Sequence, residues 1–156
     1  MGLLVGPTPW WQASIVSQCP EGTFLPDGST IICKSGGTAW IVAPACTQVG
    51  SAWAGGQYNS TQVGDKCCVS EWSGLETQLI NSGFNPNDWF VPSISQLQNP
   101  GYVCRTNWDS FSLCHYWSST ECTDTTAWCY NYAEGFGWVL SKGVVKCVRA
   151  FRCVTY

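Results

Sequence analysis

The chain reads as one mixed α+β domain of short elements held by disulfides, and three observations predict this. Hydrophobic residues make up 45% of the 156 positions and charged residues only 11%, well under the roughly 25% of an ordinary soluble protein. Sixteen glycines and eight prolines cut the chain into pieces that suit loops, strands and short helices rather than long ones. Eleven cysteines exceed ordinary usage. They form no C-x-x-C pair, and the single histidine, His115, cannot complete a mixed zinc knuckle. The remaining reading is disulfide bonding in an oxidising setting, against the lesser alternatives of buried thiols and of metal or redox chemistry. An odd count leaves at least one cysteine unpaired or bridged to another chain.

The same figures exclude whole classes of function. A net charge of −3 with seven Lys and Arg lacks the basic footprint of a nucleic-acid binder. No apolar run reaches 18 residues, so nothing is expected to insert in a membrane. The start, MGLLVGPTPWWQ, has neither the charged n-region nor the cleavage site of a secretory signal. The expectation is a mature segment, or a protein that leaves the cell by another route, as a virion component does on lysis.

Residues 1–18 read as an arm in which Pro7 and Pro9 precede Trp10 and Trp11. An exposed Trp pair would waste apolar surface, so it is expected to dock either on this domain or on another subunit of an assembly. Residues 19–35 read as a hairpin turning at Pro26-Asp27-Gly28, with Cys19 and Cys33 placed to staple its ends. Closing that 15-residue loop is worth about 3 kcal/mol by chain entropy. After Gly36 and Gly37, residues 38–44 form a near-continuous apolar strand, followed by a polar loop over 45–66. Val69, Trp72, Leu75, Leu79 and Ile80 recur at helical spacing, with Ser70 as a candidate cap and Gly83 as the stop. Residues 89–92 read as a strand. Ser93 opens a second short helix, and Gln96 completes its capping box. Residues 101–115 form a loop that Cys104 and Cys114 bracket. Strands are predicted at 115–120, at 127–132 and, as one alternating run, at 146–154.

Taken in order, GGTAWIVAP, NDWFVPSISQL, YWSSTE, AWCYNYAEGFG and KCVRAFR resemble the lectin-like C-terminal domain family of bacterial collagen-like adhesins, which also occurs in phage and bacterial surface proteins. The resemblance covers residues 36–153 and is most specific in YWSSTE and VRAFR. It implies a C-type-lectin-like fold over 36–154, with the first and last strands paired and the long loops facing outward, and it implies binding without catalysis. The sugar and calcium motifs of true C-type lectins are absent. No acidic cluster offers the six or more oxygens that calcium needs, so no metal or other cofactor is expected.

Charge is so sparse that Glu121 is expected to pair with Arg149 or Arg152. Those two arginines lie three apart and so on opposite faces of one strand. Trp128, Tyr130 and Tyr132 share a face by the period of two, and Phe136 and Trp138 follow. Open to solvent, that face is a platform for sugars or proteins; covered, it is the second half of the core. A bridge between Cys122 and Cys129 would stiffen the tip that carries Asp124 and Thr125. The candidate ligand surface is therefore Asn107, Trp108, Asp109, Asp124, Thr125, Trp128, Tyr130, Tyr132, Phe136 and Trp138. The function expected is a non-enzymatic adhesion module on a virion or cell surface, recognising a host-surface glycan or protein. The alternatives are a cement subunit that uses the Trp10–Trp11 arm and, behind it, a copper–thiol oxidase.

Overall fold

The computed structural model describes residues 10–109 and 114–156, apart from the side chains of 10–12. Among these the fold is α+β: three short helices, α1 (Trp10–Gln18), α2 (Ser73–Asn81) and α3 (Ile94–Gln96), beside eight strands. The strands are β1 (Thr30–Ser35), β2 (Thr38–Val42), β3 (Val49–Ser51), β4 (His115–Glu121), β5 (Thr126–Asn131), β6 (Phe136–Ser141), β7 (Lys146–Val148) and β8 (Phe151–Thr155). They form two sheets, a three-stranded β1-β2-β8 and a five-stranded β3-β7-β4-β5-β6. No described helix is long and apolar enough to cross a membrane.

The turn at Pro26-Asp27-Gly28 forms, closed by the bonds Leu25 N–H to Ser29 O and Gly28 N–H to Leu25 O. Across it Gly22 N–H bonds to Ile31 O, Ile31 N–H to Thr23 O, and Phe24 bridges Thr30, while β1 also runs along β2 from Thr30↔Val42 to Ser35↔Thr38 and so joins the turn to a sheet. The first strand of the stretch from residue 36 also meets the last one, since β2 pairs with β8 from Thr38↔Thr155 to Val42↔Phe151.

Each sheet carries apolar side chains on both faces, so there are two cores. Ile31, Ala39, Ile41, Trp117, Cys129, Val148 and Val154 join Trp53, Trp72, Leu75 and Leu79 in the first. Ile32, Val42, Tyr116, Tyr130, Tyr132 and Phe151 form the second, closed by Leu97. The period of two in a strand places neighbouring residues on opposite faces, which is why Ile31 and Ile32 part company. Three of the first core's indoles are hydrogen-bonded as burial requires. Trp53 donates to Ser118 O at 2.9 Å, Trp72 to Lys66 O at 2.8 Å and Trp117 to Val144 O at 3.0 Å.

Local signals fared well. The capping box of α3 forms in full: Ser93 Oγ accepts from Gln96 N–H at 3.2 Å, and Gln96 Oε1 accepts from Ser93 N–H at 2.8 Å. Ser93→Ala is expected to cost about 1 kcal/mol, read from urea denaturation. The helix predicted from Cys68 resolves into a tight turn at Val69–Glu71 followed by α2, with Trp72, not Ser70, at the N-cap. Gly83 ends it in the left-handed region, at φ 88°. Residues 89–92 are extended but form no strand. Phe90 exchanges backbone bonds with Phe151, both at 2.9 Å.

One reading is corrected. The run 146–154 is two strands, not one: β7 lies in the five-stranded sheet, β8 in the three-stranded sheet, and Arg149 and Ala150 make the crossing. Cys147 and Cys153 therefore share no strand face. The arm folds onto the domain as α1, one of the two docking places expected for it. Val16 is fully buried in the first core, and Lys34 Nζ donates to the carbonyls of Val16 and Cys19 at 2.8 and 2.9 Å. The side chains of Trp10 and Trp11 lie outside the described residues.

Candidate functional site

Where β7 passes to β8, Arg149 turns inward. Its Nε donates to Ala43 O at 2.9 Å, and its guanidinium lies 5.3 Å from the centre of the Trp108 ring, within cation–π range. The side chain is only 8% exposed. Burial pushes the guanidinium below its ordinary value, while Tyr116 and Asp109 push it back up. Asp109 Oδ2 in turn accepts from the Tyr116 hydroxyl at 2.6 Å. Burial foremost, then this bond, holds that phenol well above its usual range and thus neutral.

Trp108 is fixed in several ways. Its Nε1 donates to Gly101 O at 2.9 Å. Its ring packs tilted on Tyr116 at 5.4 Å and edge-on against Tyr132 and Phe151, both at 5.5 Å. Asn107 ties the segment to β1 by donating from Nδ2 to Ile32 O at 2.9 Å. The result is an open cleft of about 290 Å³ lined by Phe24, Thr30, Ala45, Asn107, Trp108 and Arg149, together with Gly28 and Thr106. Phe24 stands at the cleft 76% exposed. One cation, an amide, a hydroxyl and aromatic surface thus converge on one concave place, a composition suited to holding a polar ligand with an apolar face.

Asn107 and Trp108 of the sequence-predicted surface therefore belong to one site, with Asp109 behind it on Tyr116. The others do not line the cleft. Tyr130 and Tyr132 are corrected from platform to core. Both are buried, and their hydroxyls donate inward, Tyr130 to Gly135 O at 3.1 Å and Tyr132 to Leu97 O at 2.7 Å. The covering comes from Leu97, Tyr102 and Trp108, which the strand's own alternation could not reveal. Trp128 is half-buried on β5, while Phe136 and Trp138 pack edge-to-face at 5.6 Å on β6. Asp124 and Thr125 are exposed at the β4–β5 turn.

The partner expected for Glu121 is also corrected. It is Lys142, whose Nζ lies 2.6 Å from Glu121 Oε2 with both side chains buried. Lys142 donates as well to Thr61 O at 3.0 Å and Asp124 O at 2.8 Å, and Glu121 accepts from the N–H groups of Val63 and Gly64. Arg152 instead lies over Trp89, 5.3 Å from its ring centre. The β5–β6 register Thr126↔Ser141 brings Lys142 beside the β4–β5 turn, a pairing of neighbours that no charge count reveals.

Among the described residues no cysteine is in a disulfide. The three expected staples are not the cysteine neighbours observed. Cys33 meets Cys104, not Cys19. Cys114 meets Cys147, not Cys104. Cys129 is buried on β5 while Cys122 is exposed at the turn, where Lys142 rather than a bridge holds the tip. Cys129 points to the first core because it alternates with Tyr130, and burial pushes its thiol up to about 11. No group of three or more metal-ligating side chains occurs among the described residues. No protein-family model matches the chain, and no curated protein matches it significantly.

Proposed function

We propose that the chain is a non-enzymatic binding module of C-type-lectin-like fold, displayed on a virion or cell surface. Its ligand, a host-surface glycan or protein, occupies the cleft between Trp108 and Arg149. The observation that carries this reading is the meeting of a nearly buried guanidinium with an indole, beside an exposed phenylalanine, in an open hollow. An exposed aromatic beside a concave polar site marks a place where something docks. Sugars present apolar C–H faces to aromatic rings and hydroxyls to amides, which matches Trp108 and Asn107. Arg149 adds a preference for a carboxylate, the partner whose geometry the guanidinium fork fits. The lectin-like reading is supported by the pairing of β2 with β8 and by the motif order from residue 36 onward.

The test is a glycan array bearing acidic and neutral sugars, probed with the full chain and with Ala45→Trp. Ala45 is an exposed lining residue, so the larger ring fills the mouth without entering a core. Binding by the parent chain, favouring acidic sugars, with at least a tenfold loss in Ala45→Trp at unchanged melting temperature, is the expected result. Undiminished binding by Ala45→Trp would move the site elsewhere.

A further inference from the structure

Cys104 and Cys114 lie at either end of the segment that carries Thr106, Asn107 and Trp108. Each meets a strand cysteine instead of the other. The Cys147 thiol, on β7, donates to Cys114 Sγ at 3.3 Å, immediately before β4 begins. The thiols of Cys33, on β1, and Cys104 are hydrogen-bonded to one another. All four side chains are half-exposed and pack against the second core. The surrounding bonds hold these neighbours together. Asn107 grips the carbonyl of Ile32, next to Cys33, and Tyr116 stands in register with Cys147 across the parallel β4–β7 pair.

We propose that Cys33–Cys104 and Cys114–Cys147 are two disulfide-forming pairs, which on oxidation anchor the cleft-bearing segment to β1 at one end and to β7 at the other. The pairing stands whether or not the cleft takes a ligand. The oxidant is a low-molecular-weight disulfide such as oxidised glutathione. One cysteine thiolate attacks a glutathione sulfur, and the first glutathione leaves and takes up the proton that the cysteine released. The second cysteine then attacks the protein sulfur of the mixed disulfide and expels the second glutathione. One S–S bond and two S–H bonds break; one protein S–S bond and two glutathione S–H bonds form. Two electrons pass from the protein to glutathione. Burial, then the neighbouring Cys33, pushes Cys104 up to about 11; burial, then Cys114, pushes Cys147 up to about 12. Little of either is thiolate at neutral pH, so the exchange accelerates as the pH rises.

The experiment takes the full reduced chain, oxidises it with oxidised glutathione, alkylates the remaining thiols and maps the peptides by mass spectrometry without reduction. The expected products join Cys33 to Cys104 and Cys114 to Cys147, each with two hydrogens lost. Cys33→Ser abolishes only the first link and Cys147→Ser only the second. Oxidation raises the melting midpoint by about 10 °C, the two closed loops being long. Peptides joining Cys19 to Cys33 or Cys104 to Cys114 would overturn the assignment. So would four alkylated or glutathione-capped thiols at these positions once exposed Cys46 and Cys153 have reacted.

Discussion

Lys142→Met is expected to lower the stability of the folded chain by about 3–5 kcal/mol at neutral pH, because it strands a buried carboxylate. Lys142 is fully buried, 4.8 Å from the centre of the Trp53 ring, and it alone links Glu121, Thr61 and Asp124. Its loss removes one tie from the loop at 61–64 and one from the β4–β5 turn together. Denaturation in urea with both tryptophan fluorescence and circular dichroism measures this; a loss under 1 kcal/mol would mean that water replaces the ammonium. The pH dependence follows with a definite sign. Burial pushes the Glu121 carboxyl up, but the hydrogen bonds from Lys142, Val63 and Gly64 outweigh it and hold it below its ordinary 4.5. A carboxyl lower in the folded state binds its proton more readily unfolded. Its contribution is complete above 4.5 and is lost as the pH falls through the depressed folded value. In Lys142→Met that contribution is missing, so the gap between variant and parent narrows as the solution is acidified below 4.5.

Tyr132→Ala is expected to cost a further distinct 3–5 kcal/mol or so, the ordinary range for emptying a large aromatic site. The ring touches Tyr102, Trp108, Tyr116 and Tyr130, with centroids 4.8–5.5 Å apart. It therefore holds Trp108 from behind. Tyr132→Phe keeps the ring and removes only the bond to Leu97 O, at about 1–2 kcal/mol. Were the Trp128–Tyr130–Tyr132 face a ligand platform, both variants would lose binding and neither would melt early. Differential scanning calorimetry of the pair separates these outcomes.

What the sequence made legible was local. Ser93 with Gln96, Gly83 after α2, and the turn at 26–28 all depend on residues within a few positions, and all formed as expected. So did the strands β4 and β5, whose alternation survives in one sequence. The misreadings were all questions of what lies across space. No glycine, proline or turn residue interrupts KCVRAFRCV, so nothing in it marks the change of sheet at Arg149. Tyr130 and Tyr132 share a face, but the lid over that face comes from residues 97–108. Glu121 was matched to Arg149 or Arg152, and the β6 register, not charge, brought Lys142 to it instead. Cysteine spacing suggests loops to close, yet the neighbours actually found are separated by 71 and 33 positions in the chain. Of the cleft, Asn107 and Trp108 were visible as binding residues. Phe24 and Thr30 were not, because they come from a segment that looked like a self-contained hairpin, and Ala45 was not, because it opens what read as a polar loop.

The crossing at Arg149 and Ala150 has a mechanical consequence. Two residues reach about 7 Å when fully extended, so β7 and β8 cannot slide apart, and the two sheets are leashed as one rigid frame. Arg149 is itself part of that leash and a wall of the hollow. Chain connectivity thus fixes one wall of the hollow, while the other, Trp108, is held by its own bond to Gly101 and its ring contacts. On the binding function proposed above, a guest is selected by its fit to that leashed wall.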